Sequence, residues 1–137
     1  MIIIVDTNII IAALLKDGLS RKILRTNEEF IVPEFLFVEL RKYHAEILRK
    51  SGISQDGFEF ALLSILENVQ VATQDIVDRK YDEAYEIMKI IDPEDTQHLA
   101  CALAYPGSII WSEDTDMREQ KVVHVMTMKE MKVFLNR

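Results

Sequence analysis

The sequence has a single cysteine, Cys101, so no disulfide can form within the chain. Disulfides are typical of small secreted domains, and their absence fits a reducing, cytoplasmic setting. Cys101 lies in the apolar segment 99–103, which predicts a buried small side chain rather than a nucleophile. Histidines are also few. His44, His98 and His124 have no histidine or cysteine partner at the spacing of zinc ligands, which argues against a zinc site.

Glycine and proline are scarce as well, with four and three residues in 137. No segment therefore has the composition of a flexible linker or a disordered region. No internal repeat or low-complexity stretch is present. The length suits one domain with a sizeable core, so we expect a single domain over residues 1–137.

The chain has no long uninterrupted apolar run and no excess of positive charge. Residues 1–15 are apolar, but Asp6 and Asn8 interrupt them and no basic stretch precedes them, so neither a signal peptide nor a membrane span fits. We expect a soluble, cytoplasmic protein without a membrane partner. The net charge of −7 argues against a broad basic surface for nucleic acid. Acids that hold a divalent metal, and local basic pairs such as Arg41-Lys42, remain compatible with it.

Hydrophobic patterning predicts an alternation of strands and helices. Branched residues 1–5 predict a strand buried on both faces. Pro33 suits the first turn of a helix, and Thr127 with Glu130 forms a capping box. Alternation of this kind predicts an α/β/α sandwich with a mainly parallel central sheet. The predicted strands are 1–5, 30–32, 69–71, 109–111 and 122–125, and the predicted helices are 8–16, 19–26, 34–50, 55–67, 75–90, 93–105 and one after Thr127.

Two of the buried strands end in acids. Asp6 follows the first strand, and Asp114 and Asp116 follow the strand at 109–111. The carboxyl ends of parallel strands share one sheet edge, where ligands bind, so these acids are expected to face one crevice. Glu39, at the edge of an apolar helix stripe, and Asp95, in the first turn of a helix, are plausible additions.

Each acid also has a simpler interpretation. Asp6 can be an N-cap residue, and Glu39 can form a surface ion pair with Lys42, one helical turn away. A carboxylate cluster without lysine or arginine repels itself unless it is protonated or neutralised by a cation. Carboxylate oxygens suit Mg²⁺ or Mn²⁺, ions that activate water and stabilise a phosphodiester in transit.

Four segments that carry the candidate acids follow one another along the chain. They are Asp6-Thr7-Asn8 after the first strand, residues 33–40 ending in Val-Glu-Leu, residues 92–95 leading into 99–102, and residues 110–116. This pattern resembles the PIN domain family over essentially the full length. The resemblance implies a fold related to flap endonucleases and a ribonuclease dependent on Mg²⁺ or Mn²⁺. Small prokaryotic members are often VapC-type toxins, which are homodimeric and paired with an antitoxin.

The resemblance also implies residue roles. It assigns four acids as catalytic residues and metal ligands, with Asp116 as an accessory ligand. Thr7 and Ser112 match hydroxyl positions that hold the acids or water, and Asn8 matches a position that orders the strand–helix turn. The four acids are Asp6, Glu39, Asp95 and Asp114.

Two assignments stay open. Asp92 can replace Asp95 as the third ligand, although Asp92 already suits an N-cap before Pro93, so we favour Asp95. Either Asp114 or Asp116 can point into the crevice, and we favour Asp114. His98, one turn after Asp95, is near enough to touch a substrate, but a lone helical histidine is more often structural.

The sequence therefore predicts hydrolysis of single-stranded RNA. Basic residues near the site are candidates for binding the RNA backbone. A haloacid-dehalogenase-like phosphatase is a weaker alternative, because its Asp-x-Asp motif would need an acid at Asn8. The other alternative is a catalytically inactive PIN-like module that binds RNA or a partner. The basic candidates are Arg41, Lys42, Arg118 and Lys121.

Overall fold

The first strand of the chain lies at the centre of a five-stranded parallel sheet. In this computed structural model, which describes residues 1–136, the strands run in the order β3-β2-β1-β4-β5, and each pairs in parallel with its neighbour. The predicted parallel sheet is confirmed. The strands are β1 Ile2–Val5, β2 Glu29–Pro33, β3 Val69–Ala72, β4 Ile109–Trp111 and β5 Val125–Met126.

Helices cover both faces of this sheet, which confirms the predicted α/β/α sandwich. Ile3, Val5 and Trp111 point to a core formed with α1 to α4 and α8, whereas Ile4 and Ile110 point to a core formed with α5 to α7. This alternation is the period of two that a strand buried on both faces requires. The helices are α1 Thr7–Leu15, α2 Leu19–Leu24, α3 Leu36–Ser51, α4 Gln55–Leu66, α5 Gln74–Asp78, α6 Tyr81–Met88, α7 Thr96–Ala104 and α8 Met128–Leu135.

Local sequence signals explain where several helices begin and end. Ser54 accepts a hydrogen bond from the Gly57 amide at the start of α4, and α8 begins with the Thr127–Glu130 capping box. Gly52 ends α3 in the left-handed region, with a φ of 71° that disfavours side chains with a Cβ. Cys101 is fully buried in α7, and this burial raises the pKa of its thiol to about 12, so the prediction of a core residue is confirmed.

Three boundaries were predicted wrongly. Pro33 is the last residue of β2 rather than part of a helix, because the end of a strand also tolerates its missing N–H. The predicted helix 75–90 is broken at residues 79–80 into α5 and α6. The last strand begins at Val125 rather than residue 122, because the side chain of Gln120 accepts the hydrogen bonds of the Val122 and Val123 amides.

Residue 137, the end of the predicted domain, lies outside the described residues. Within residues 1–136, no helix has the length and apolar character needed to cross a membrane.

Candidate metal centre

The centre begins where β1 and β4 end side by side. Val5 pairs with Trp111, and the Asp6 amide donates to the Trp111 carbonyl at 3.0 Å. This pairing places the side chain of Asp6 beside that of Ser112. The Ser112 hydroxyl donates to Asp6 Oδ2 at 2.6 Å, and both residues are buried. One oxygen of the first acid is therefore held by a strand more than a hundred residues away in the sequence.

The loop after β4 is fixed to the same serine. The Asp114 amide donates to Ser112 Oγ at 3.0 Å, and the Asp116 amide donates to Asp114 Oδ1 at 2.9 Å. These hydrogen bonds between side chains and backbone amides stiffen a short loop and hold its acids near the strand end. Asp6 also caps α1, since its Oδ1 accepts the Asn8 amide at 3.4 Å. The capping role and a place in the acid cluster are thus compatible.

Glu39 enters from α3, which packs against α1. The Thr7 hydroxyl donates to Glu39 Oε1 at 2.6 Å, and the Glu39 side chain is 24% exposed. Within the described part of the chain, Glu39 forms no salt bridge with Lys42, whose ammonium lies instead 5.3 Å from the centre of the Tyr43 ring. This geometry does not fit the interpretation of Glu39 as one half of a surface ion pair with Lys42.

The segment 92–95 supplies the remaining acids from a 3₁₀ turn before α7. Asp92 caps this turn by accepting the Glu94 amide at 3.1 Å, as the Asp-Pro signal predicts. Its carboxylate still reaches the site, because Asp92, Asp114 and Asp116 can each offer an oxygen with all three atoms within 4.8 Å of one another. Asp92 therefore combines its capping role with proximity to the other acids.

Asp95 is the most perturbed acid of the group. Burial, then hydrogen bonding and repulsion by the Asp114 carboxyl, and then the charges of Asp6 and Asp92, raise the pKa of Asp95 from 3.8 to about 8. Its Oδ2 atom is buried and has no hydrogen-bond partner. A half-buried acid that faces other carboxylates, and whose buried oxygen has no donor, is held either by a proton or by a cation.

Sequence reasoning missed the environment of His98. Its imidazole is 2% exposed, and Nε2 lies 3.2 Å from Thr7 Oγ1, 3.7 Å from Asp6 Oδ1 and 3.6 Å from Glu39 Oε1. The only signal in the sequence was the spacing of three residues from Asp95, which puts both on one helix face. The burial itself arises from the packing of α7 against the sheet.

The donor set fits a hard divalent cation. Within residues 1–136, neither lysine nor arginine forms a salt bridge with Asp6, Glu39, Asp95 or Asp114. The ligand atoms on offer are carboxylate oxygens, which suit Mg²⁺ and Mn²⁺. Asn8 has an exposed side chain and contributes through its backbone amide.

Comparisons with known proteins agree with this architecture. The family model described as "PIN domain" matches residues 4–136. No curated protein matches the sequence significantly. Among solved structures, VapBC-1 from nontypeable Haemophilus influenzae is similar, with a TM-score of 0.67 and 16% identity over 94% of this chain and 99% of the other. At this identity the likeness concerns the fold alone.

Proposed function

The chain belongs to the PIN domain family, and we propose that residues 1–137 form one PIN-like domain that cleaves phosphodiester bonds of single-stranded RNA with the help of Mg²⁺ or Mn²⁺. The observation that carries the proposal is that acids from distant segments lie together and, within residues 1–136, form no salt bridge with lysine or arginine. Burial of Asp95, together with the neighbouring carboxyls of Asp114 and Asp6, raises the pKa of Asp95 to about 8. Such repulsion is tolerated where a cation binds.

In this proposal Asp6, Glu39, Asp95 and Asp114 hold the ions. Asp116 is an accessory ligand, and Asp92 lies beside it, since Asp92, Asp114 and Asp116 can offer oxygens within 4.8 Å of one another. Bound Mg²⁺ or Mn²⁺ would supply an activated water and stabilise negative charge on the phosphate. The chain's own groups hold these acids in place. Ser112 donates to Asp6 and receives the Asp114 amide, while Thr7 donates to Glu39. Since the oxygens are positioned before binding, little reorganisation accompanies it.

The surface offers separate groups for the RNA backbone. Arg41 and Lys42 lie two and three residues after Glu39 on α3, and Arg118 follows the acidic loop; all three are exposed. Lys121 is exposed too, with its ammonium donating to the Arg118 carbonyl at 2.9 Å. Basic side chains beside an acidic centre would attract phosphates despite the net charge of −7.

The decisive experiment compares Asp6→Asn with wild type. Asparagine keeps the size of the side chain and removes its charge. We expect RNA cleavage to fall by more than the roughly 10–100-fold that follows removal of a group supporting a metal ligand. Thermal unfolding of both proteins controls for folding. Equal cleavage rates in Mg²⁺ or Mn²⁺ would refute the proposal.

We further propose that the protein is a VapC-type toxin, acting in the cytoplasm as a homodimer and restrained by a small antitoxin protein. The likeness in fold to VapBC-1 supports this extension. Large apolar side chains exposed on α3 and α4 are the candidates for such an interface between proteins. They are Phe37, Val38, Phe60 and Leu63, the last two about three-quarters exposed at 75% and 73%.

Growth arrest on expression, relieved by a small protein encoded beside this one, is the expected result. Normal growth with undiminished RNA cleavage would remove the toxin assignment and leave the nuclease assignment intact. A binding module without catalysis is the alternative, and it predicts Mn²⁺ binding with no RNA cleavage. A phosphatase of the haloacid-dehalogenase type is disfavoured, because Asn8 stands where that chemistry needs an acid.

A further inference from the structure

His98 forms the link between α7 and the first turn of α1. Its Nε2 lies 3.2 Å from Thr7 Oγ1, and the Thr7 amide points to the same nitrogen at 3.4 Å. Nε2–H can donate to the hydroxyl oxygen, or bare Nε2 can accept the amide. The His98 Nδ1 atom is buried without a hydrogen-bond partner, which favours the tautomer with the proton on Nε2, because the other one would bury an unpaired N–H.

The contact continues from Thr7 to Glu39. The Thr7 hydroxyl uses its proton to donate to Glu39 Oε1 at 2.6 Å, so its oxygen remains an acceptor for Nε2–H. The imidazole, the hydroxyl and the carboxylate then form one chain across three elements. In contrast, Nε2 lies 3.6 Å from Glu39 Oε1 and 3.7 Å from Asp6 Oδ1, beyond hydrogen-bond distance. His98 thus contacts Glu39 through Thr7.

Burial makes this link effective. Thr7 and His98 are each 2% exposed, so no bulk water competes for their polar atoms. Among the four ligand candidates, Glu39 has the longest side chain, with three torsions where aspartate has two, and it is 24% exposed. Its carboxylate stays at the site because Thr7 binds it, and Thr7 is fixed on its other side by the imidazole.

We propose that His98 is a positioning residue, which holds Glu39 for a divalent cation through the hydroxyl of Thr7. This inference rests on the proposed function, since it concerns the same site. The effect of His98 on Glu39 passes through the Thr7 hydroxyl. Loss of the imidazole should weaken cation binding and leave RNA binding unchanged.

The experiment measures Mn²⁺ affinity by electron paramagnetic resonance of the free ion, without RNA. We expect His98→Leu and Thr7→Val each to weaken Mn²⁺ binding about 10–100-fold, as removal of a group supporting a metal ligand does. The double variant should bind no more weakly than the weaker single variant, because both changes break the same chain. Thr7→Ser, which keeps the hydroxyl, should retain affinity, and His124→Gln, at an exposed histidine away from the acids, serves as the control.

Activity assays add a second readout. In His98→Leu, kcat should fall at limiting Mn²⁺ and recover at saturating Mn²⁺, with KM for RNA unchanged. A kcat that stays low at saturating Mn²⁺ would assign His98 to the chemistry itself and overturn the positioning role. Additive losses in the double variant, or wild-type affinity in Thr7→Val, would overturn it as well. If His98→Leu does not fold, the Thr7→Val and Thr7→Ser pair decides the question.

These outcomes separate the two proposals. Mn²⁺ binding by the wild type without RNA cleavage contradicts the proposed function and leaves the positioning role standing if the variants weaken that binding. Wild-type protein that binds no Mn²⁺ overturns both.

Discussion

Asp6 and Ser112, which lie 106 residues apart in the sequence, are joined by a hydrogen bond of 2.6 Å across the ends of two adjacent strands. The serine also accepts the amide of Asp114 at 3.0 Å. One hydroxyl therefore orients the acid at the end of β1 and the loop that carries the next acid. The positions of Asp6 and Asp114 in the candidate metal centre thus depend on the same side chain.

Ser112→Ala should separate these two acids. We expect RNA cleavage and Mn²⁺ affinity to fall about 10–100-fold, because the acids lose a shared support. The free energy of unfolding should fall by about 1–3 kcal/mol, since the buried Asp6 carboxylate loses a donor and the partly buried Asp114 amide loses its acceptor. Ser108→Ala is the matched control: Ser108 precedes β4, is buried, and donates to the Ala102 carbonyl at 3.0 Å. An equal loss of activity in both variants would contradict the special role of Ser112.

Asp95 makes the metal-free protein sensitive to pH. Burial and the neighbouring carboxylates raise the pKa of Asp95 to about 8, so the folded state binds a proton between about pH 4 and 8 that the unfolded state releases. Stability conferred by this proton is present below pH 4 and is lost as the pH rises toward 8. In a chelator, the melting temperature should therefore fall from pH 5 to pH 8.

Asp95→Asn removes that titration. The variant should melt higher than wild type at pH 8 without metal, yet lose RNA cleavage, because the ligand is gone. Asp82→Asn, at an exposed acid of α6, controls for the change in net charge. Identical pH profiles for wild type and Asp95→Asn would show that Asp95 does not titrate in this range. Added Mn²⁺ should stabilise wild type more at pH 8 than at pH 6, since binding displaces the proton.

Arg41 and Lys42 should act on RNA binding alone. Replacing both with alanine is expected to raise KM with kcat unchanged, and to lower the slope of log affinity against log salt by about 0.7 for each phosphate that the variant no longer neutralises. Arg49→Ala with Lys50→Ala, at the other end of α3, removes the same charge as a control. A fall in kcat, or an equal effect of the control, would speak against this assignment.

Thr127→Ala should change stability without changing activity. It removes one half of the capping box that begins α8, where Thr127 Oγ1 accepts the Glu130 amide at 3.3 Å. The expected loss is about 0.5–2 kcal/mol, the usual range for an N-cap hydroxyl. Denaturant unfolding measures it. A change in kcat at a temperature where the variant is folded would mean that α8 influences the metal centre.

Local patterns in the sequence were sufficient to predict the sheet. Each strand is a short branched run, and the alternation with helices left few topologies other than a parallel sheet. The predicted start of the last strand was wrong because a side chain took the place of a backbone hydrogen-bond partner. Val122 is a β-branched residue of the kind that favours a strand, but its amide donates to the side chain of Gln120, two residues earlier, and hydrophobic patterning does not reveal this local contact.

The candidate site was only partly predictable for the same reason. Acids at strand ends could be paired because parallel strands share an edge, and Asp6 and Asp114 are indeed linked through one serine. The surroundings of His98 could not be inferred, because its burial depends on how closely α7 approaches β1. The choice between Asp92 and Asp95 had to remain open, since the 3₁₀ turn brings both carboxyls near Asp114.

The central position of β1 has a consequence for synthesis on the ribosome. β1 is made first, but it is flanked by β2 and β4, and β4 begins only at residue 109. A nascent chain that ends before this point exposes one side of β1 and lacks both Ser112 and Asp114. The proposed cleavage centre therefore assembles only after residue 114 has been made. If the proposed function is correct, the segment that precedes β4 cannot cut RNA while it is being synthesised, because it lacks part of the acid set.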